Sequence, residues 1–466
     1  MMAAPGANNN RVDSSPIPRR QGERALEADA LLIRTERRAP ISLVYGTLCL
    51  ANAAEAVEVL SAGFMLQRAT DDPAGQTAIA VGVFVGMLVG GFASGAVADT
   101  IGRVPALRWS LSLATVAAAL ASAAPSLPAL VLLRVLAGTG VGAATPPLFA
   151  LATECAPVGR TGRAVTLVAS FWTVGSIITA GLALLMLSGS ADAPASFGWS
   201  ESWRSFALAC SVVPAVATAL AFTVDLSPRV SPQMSTAATL DDQSPPPPPP
   251  TVTTGMTLPW ILSARRVLDT LCAAEARAAL LPLCLVWAGL NFGSYGLSTW
   301  MTTLLSNAGV DDPYYVSLLY AAAMLPGNLV SFLAIDAIGR RPLLIGSMVC
   351  ASLSAIALGT VDASSEGMVI AAACLFSATS NAGWNALDVL STEAFSREVR
   401  ATAFATLAGT GRVASVCAQL VNGSLSKDAP TLLAITAAMM GVGCLGALLV
   451  RPSKVEASLP SGGKRF

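Results

Sequence analysis

Glu55, Glu58 and Arg134 are charged side chains set inside long apolar stretches. A charge near the centre of a bilayer costs at least ~2.5 kcal/mol on insertion scales, so each one needs a partner or a role. Glu55 and Glu58 are three residues apart, which places both on one face of a helix, with Asn52 also on that face. At about 1.5 Å rise per residue, Glu58 and Arg134 each fall roughly 12 Å below the outer end of their spans, and Glu55 about 4 Å deeper. An acid–arginine pair across a cavity wall is therefore geometrically reasonable. Burial disfavours an ionised carboxylate while a nearby guanidinium favours it, and substrate or conformation can tip that balance. Three chemistries stay open for the acids: carrying a proton, binding the charge of a cationic substrate, or clamping the first span to the fourth in a permanent ion pair. The chain has no histidine, so any proton chemistry near neutral pH falls to carboxylates.

The second half contributes Asp388 and Arg412, in the tenth and eleventh spans, with Asp388 nearer the cytoplasmic end. Polar and aromatic residues on helices able to line a cavity complete a set of substrate-binding candidates: Asn52, Trp172, Asn291, Tyr295, Trp384, Asn385, Asp388 and Gln419. Aromatic rings with a few amides suit a small organic solute, although each residue singly also fits helix packing or an interfacial belt.

These residues are positioned by an unusually apolar chain. Of 466 residues, 54% are hydrophobic and only 12% charged, against roughly 25% charged in a soluble domain. Mean hydropathy is +0.63. Apolar stretches near the ~20 residues needed to cross a bilayer recur at about 42–66, 77–98, 104–123, 127–150, 164–188, 203–224, 280–305, 313–336, 342–361, 367–391, 400–424 and 429–451. The reading is an all-α membrane protein with twelve transmembrane helices in two six-helix bundles. We expect a disordered cytoplasmic tail over 1–40, an N-terminal bundle over 41–225 and a C-terminal bundle over 280–452. Between the bundles lies a cytoplasmic proline-rich linker over 226–279, with a short surface helix in Ile261–Ala278, and a cytoplasmic tail follows over 453–466. Basic residues collect on one side of the spans (Arg103, Arg160, Arg163, Arg340, Arg341, Arg397, Arg400), while the opposite loops are mostly acidic, which puts both termini in the cytoplasm. A zero formal charge implies no bulk polyanion partner, so nucleic acid is not expected. The nine cysteines form no CxxC pair and read as small buried hydrophobes. Asn422-Gly-Ser424 is a glycosylation sequon on the outer side, close to the membrane.

One short string occurs twice: Asp99-Thr-Ile-Gly102-Arg103 and Asp336-Ala-Ile-Gly339-Arg340, offset by 237 residues (99 to 336), each where a span ends. Such duplication points to two homologous bundles. Gly95 permits close helix approach and Gly102 a tight turn, while Asp99 and Arg103 can reach partners on neighbouring helices. Thr153-Glu154 and Thr392-Glu393 end the fourth span of each half and are followed by Arg160 with Arg163 and Arg397 with Arg400. We assign Gly95, Asp99, Gly102, Arg103, Glu154, Arg160, Arg163, Asp336, Gly339, Arg340, Glu393, Arg397 and Arg400 to cytoplasmic gating.

With Arg134-Val-Leu-Ala-Gly138-Thr-Gly140-Val-Gly142, Glu154-x-x-Pro157, Phe171-Trp172-Thr-Val-Gly175, Trp203-Arg204, Ser227-Pro228-Arg229, Tyr295-Gly296 and Pro326-Gly327 in order, the chain resembles the major facilitator superfamily over most of residues 40–452. Within it, the resemblance is to the branch of sugar porters, organic-ion transporters and synaptic-vesicle-protein-related carriers. It implies alternating access around a mid-bilayer substrate site and places the proton-linked acid of the first span nearer Glu55, whereas depth favours Glu58. Phe332 stands where the pattern favours a small residue, the tenth span lacks the Arg-x-x-x-Gly-x-Gly string, and the Pro-Glu-Ser-Pro-Arg box is reduced to Asp225-Leu-Ser-Pro228-Arg229.

No Walker-type loop, metal cluster or catalytic triad is present in the sequence, so we expect neither an enzyme nor an ATP-driven pump, and no cofactor. The expected function is secondary transport of a small organic solute, an organic ion or a sugar-like molecule, with protons and the lipid bilayer as its other partners. The rival readings are a facilitative or exchange carrier of organic cations and a non-transporting sensor or scaffold. We expect a monomeric multi-pass protein of the plasma membrane, an internal membrane being the alternative.

Overall fold

The computed structural model describes residues 39–157, 161–188, 202–227, 274–361, 365–395 and 400–450. The proline-rich linker, both tails, and Arg160 and Arg397 lie outside the described residues. Thirteen helices are described: α1 (Ile41–Ala69), α2 (Pro73–Ile101), α3 (Arg103–Ser122), α4 (Leu127–Glu154), α5 (Thr161–Leu187), α6 (Ser202–Thr223), α7 (Ala274–Asn307), α8 (Pro313–Ala322), α9 (Met324–Ile338), α10 (Arg340–Thr360), α11 (Glu366–Glu393), α12 (Arg400–Ser424) and α13 (Ala429–Leu449). No strand occurs among the described residues. Helices α8 and α9 together form the eighth span, so six spans fall in each half, as expected. The seventh begins earlier than the hydropathy of the sequence indicates, at Ala274.

The two halves repeat one packing scheme. In the first, α4 packs on α2 and α3, α5 and α6 on α1, and α6 on α3. In the second, α11 packs on α9 and α10, α12 and α13 on α7, and α13 on α10. The halves meet through α2 with α12, α5 with α8, and α1 with α7. The repeated turns show the duplication locally. Gly102 has φ 89° and ψ 162°, and Gly339 has φ 91° and ψ 159°, a backbone conformation that residues with a Cβ rarely adopt.

Between helices of equal apolarity, close van der Waals packing does the work that the hydrophobic effect does in water. The glycines of the fourth span supply it. A Cβ on Gly138 would lie 2.1 Å from the carbonyl oxygen of Val83, and one on Gly142 2.2 Å from that of Met87. Reciprocally, Gly86 and Gly90 of α2 face the carbonyls of Val135 and Thr139. Gly140 points the other way, onto Ser110 and Ala114 of α3. Pro146 and Pro147 interrupt α4 just beyond. Proline removes an i→i−4 bond, and the Ala143 carbonyl freed by Pro147 accepts from Ser94 Oγ of α2 at 2.8 Å.

In the second half the equivalent approach is made by Gly327 of α9, whose Cβ would lie 2.2 Å from the carbonyl of Ala378 on α11. The eighth span is broken at Ala323, close before Pro326. Ser377 Oγ of α11 donates to the Tyr320 carbonyl at 2.6 Å and Asn381 Nδ2 to the Met324 carbonyl at 3.1 Å, so α11 satisfies backbone groups on either side of the break. This has a compositional consequence. Eleven of the spans are long and apolar enough by themselves to cross a membrane; α11, with Ser377, Asn381, Asn385 and Asp388, is not among them.

Overpacking a tight contact typically costs about 1–3 kcal/mol, and here the obstacle is backbone. We expect Gly138→Leu to abolish recovery of folded protein by size-exclusion chromatography in detergent. Gly346→Ala, where an added methyl meets nothing within 4 Å, should leave elution and thermal unfolding unchanged.

Candidate functional site

Helix α1 brings the two acids to the middle of the first half. Glu55 and Glu58 are 4% and 2% exposed, and Arg134 on α4 is 1% exposed. Arg134 Nη1 lies 3.7 Å from Glu58 Oε2, an ion pair too long to be a hydrogen bond. The guanidinium donates instead to Ser61 Oγ at 3.3 Å, and Ser61 Oγ donates to the Glu58 backbone carbonyl at 3.1 Å. Glu58 Oε2 and Arg134 Nε have no hydrogen-bond partner. Glu55 Oε2 accepts from Thr145 Oγ1 of α4 at 3.2 Å, while Glu55 Oε1 is also without a partner. A narrow cleft borders both acids, with Pro214 of α6 in its lining.

Across the interface stands Arg412 of α12. Its guanidinium stands 5.2 Å from the centre of the Tyr295 ring, and its Nη1 is buried without a hydrogen-bond partner. Tyr295 is the hub of an aromatic group that crosses the halves, in edge contact with Phe84 (5.5 Å), Trp172 (5.8 Å) and Trp384 (5.8 Å). Trp384 Nε1 is fixed by Ser294 Oγ at 2.9 Å. One helical turn beyond, a small cavity lies between α1, α5, α7 and α8, bordered by Phe64, Ser176, Ser298 and Met301.

The remaining candidates divide. Asn52 donates to the carbonyls of Val168 and Ala169, tying α1 to α5. Asn291 donates to Trp287 O and accepts from Ser415, and Gln419 accepts from Trp300 and donates to Tyr295 O; both lock α7 to α12. Their amides are committed to neighbouring helices. Asn385 belongs to a polar chain with Asn381, Asn328 and Thr173, in which Asn328 donates across the halves to Thr173 Oγ1 at 2.9 Å. Asp388 is half-buried, one turn from Asn385. The sequon is not usable as expected, because Asn422 is 0% exposed. Arg412, Asn328 and Asn381 were legible as polar groups within spans; Thr173 and Thr145 were not, since helices carry threonine without penalty.

At the repeated-turn end, Arg103 pairs with Glu154, and Arg340 with Glu393 at 3.4 Å. Each pair stays within its own half. Gly102 and Gly339 form the turns described above; Gly95, Asp99, Asp336 and Arg400 lie in helices without described side chains, and Arg163 is exposed. The opposite end is bridged between halves. Arg68 of α1 donates to Tyr314 Oη of α8 at 2.9 Å and to the Leu187 carbonyl of α5, Phe64 stacks on Tyr314, and Ser188 Oγ donates to Asp312 at 3.0 Å.

Removing one member of a buried ion pair costs about 3–5 kcal/mol because it strands the other charge. Arg134→Leu should therefore lower the unfolding temperature in detergent sharply, and adding Glu58→Gln to it should restore part of the loss. Additive losses in that double-mutant cycle would show that the two groups do not interact.

The family profile described as "Sugar (and other) transporter" matches residues 43–450. Synaptic vesicle glycoprotein 2C of Rattus norvegicus is 24% identical over 573 residues, covering 85% of this chain and 77% of that one. The niacin transporter NiaP of Acinetobacter baylyi is 25% identical over 347 residues, covering 72% of this chain and 75% of that one. Among solved structures, the partially occluded inward-open xylose transporter XylE of E. coli superposes with a TM-score of 0.68 at 15% identity, over 89% of this chain and all (100%) of that one. The D-xylose–proton symporter crystal structure gives 0.69 at 15% identity, over 90% and 99%. The fold is that of the major facilitator superfamily, and the chain belongs to the sugar (and other) transporter family.

Proposed function

We propose that this transporter moves a small organic solute by alternating access, in symport with protons, and that Glu55 and Glu58 take up the proton. The observation that carries the reading is the pair of acids bordering one cleft, each with a buried oxygen that no hydrogen bond satisfies. A buried carboxylate so poorly solvated gains by binding a proton. Both termini are cytoplasmic on this reading, and the protein acts as a monomer. The conformation described is then closed to the outside: Arg68, Tyr314 and Asp312 join the halves at the outer end, while the Arg103–Glu154 and Arg340–Glu393 pairs hold each half together at the inner mouth. The relatives' names supply the first solutes to try, niacin and xylose.

In proteoliposomes, we expect an inward proton gradient to drive accumulation of labelled nicotinate or xylose above equilibrium. Glu55→Gln or Glu58→Gln should abolish accumulation while leaving solute counterflow measurable. Accumulation indifferent to the gradient, with transport still lost in both variants, would instead favour a carrier whose acids bind a cationic substrate.

Loss of the outer contacts should also show directly. Arg68→Ala is expected to speed the reaction of a cysteine placed at Ser298, beside the cavity, with a membrane-impermeant thiol reagent added from outside. Unchanged labelling relative to the protein with Arg68 intact would remove this outer contact from the gate.

A further inference from the structure

Close glycine packing holds each half together, and at one end it also joins the halves. Among the described residues, Gly63, Gly409 and Gly423 are the glycines whose added Cβ would have its nearest neighbours in the opposite half. Gly63 of α1 lies against the backbone of Thr299 on α7. An added Cβ there would press on the Thr299 carbonyl oxygen and come within 3.1 Å of the carbonyl carbon. Gly423 of α12 lies against Thr77 of α2, where an added Cβ would overlap Oγ1 and come within 2.9 Å of the Thr77 Cβ. Thr77 is not free to swing aside, because its Oγ1 donates to the Pro73 carbonyl at 2.7 Å. Gly409 differs: its added Cβ would meet only the rim of the Phe92 ring, at 3.4 Å, an ordinary contact.

Both tight contacts are at the end opposite the repeated turns, the outer end on the proposed orientation. At about 1.5 Å per residue, Gly63 is roughly 9 Å, Thr299 roughly 12 Å and Thr77 roughly 6 Å from that end of their helices. Gly423 is next to the last residue of α12. Phe64 and Ser298, the chain neighbours of Gly63 and Thr299, border the small cavity. The α1–α7 contact therefore closes the seam beside that cavity, deeper than the bond from Arg68 to Tyr314.

Polar groups are shut into the same closure. Thr299 is 1% and Asn422 0% exposed, and Thr299 Oγ1 and both polar atoms of the Asn422 amide have no hydrogen-bond partner. A polar group buried in this way is destabilising, and water entering an opened seam would relieve it. Packing and stranded polar groups thus act in opposite directions at one place.

We propose that Gly63 and Gly423 form the outer seal of the solute path, a closure possible only because neither carries a side chain, and that Thr299 and Asn422 bias it toward reopening. The proposal rests on the alternating-access reading but not on proton coupling, since a carrier indifferent to the gradient needs the same seal. Failure of gradient-driven accumulation would leave it standing, and its own failure would leave symport open.

The test compares the two ends, using a membrane-impermeant thiol reagent and membrane vesicles of either orientation. The outer reporter is a cysteine at Ser298. The inner one is a cysteine at Thr166, exposed on α5 two turns inward of Thr173, which bonds Asn328 across the halves. Gly63→Ala and Gly423→Ala should each speed outer labelling at least about fivefold and slow inner labelling, while Gly409→Ala changes neither. Thr299→Val and Asn422→Leu, which keep the side-chain volume and remove the stranded groups, should slow outer labelling and speed inner labelling. If the alanine variants do not fold, this second pair decides the matter. Faster labelling at both ends, which general loosening would give, unchanged labelling in Gly63→Ala and Gly423→Ala, or faster outer labelling in Thr299→Val and Asn422→Leu would each overturn the proposal.

Discussion

A carboxylate among apolar helices must be matched by a cation, a proton or a hydrogen-bond donor, and the architecture is arranged around that demand. Glu58 is matched inside its own half by Arg134, while Glu55, one turn deeper, has Thr145 on α4. Neither match is complete, since both acids and Arg134 keep a buried polar atom without a hydrogen bond. In most proteins such atoms would be a defect. In the proton-coupled carrier proposed above, they leave the acids open to a proton.

Everything around these charges is built to hold them at a fixed distance. The glycine faces of α2 and α4 bring two backbones into direct contact, so the face carrying Arg134 cannot shift relative to its neighbour. On the other side, the broken eighth span would leave carbonyls bare in the membrane, and Ser377 and Asn381 of α11 cover them. The polar character of α11 thus follows from the break in α8–α9. Irregular backbone at membrane depth is tolerated only where protein or water satisfies it, and here a single helix does so.

Much of this was legible in the residues. Hydropathy located the twelve spans to within a few residues, because an apolar run of bilayer length is rare in a chain that does not cross a membrane. The recurrence of Asp-x-x-Gly-Arg revealed the duplication, and Gly102 and Gly339 indeed share one backbone conformation. Depth matched Glu58 with Arg134 while the family resemblance favoured Glu55, and the structure sets Glu58 and Arg134 3.7 Å apart. What spacing could not convey was which polar groups are already occupied. Asn52, Asn291 and Gln419 look like solute ligands on a helical wheel, yet each amide bonds a neighbouring helix. Nor could it reveal the break at Ala323, or that Arg412 sits over the Tyr295 ring, because both depend on contacts between segments far apart in the chain.

The distinction between the two charge pairs bears on how coupling can work at all. If each half moves as a body, a pair within one half keeps its separation throughout, whatever its strength. Glu58 and Arg134 sit on α1 and α4 of the same half, braced through Ser61. Such a pair senses protons but not conformation. Glu55 and Arg412 belong to different halves, so their separation must change whenever the seam between α1 and α7 opens. Coulomb energy falls with distance and with the entry of water, so the same motion that exposes the site also alters the charge balance on Glu55. Energetic coupling requires a group whose surroundings differ between the two states, and on the symport reading we propose the seam groups Glu55 and Arg412 as the more suitable transducer, with Glu58–Arg134 as their fixed neighbour.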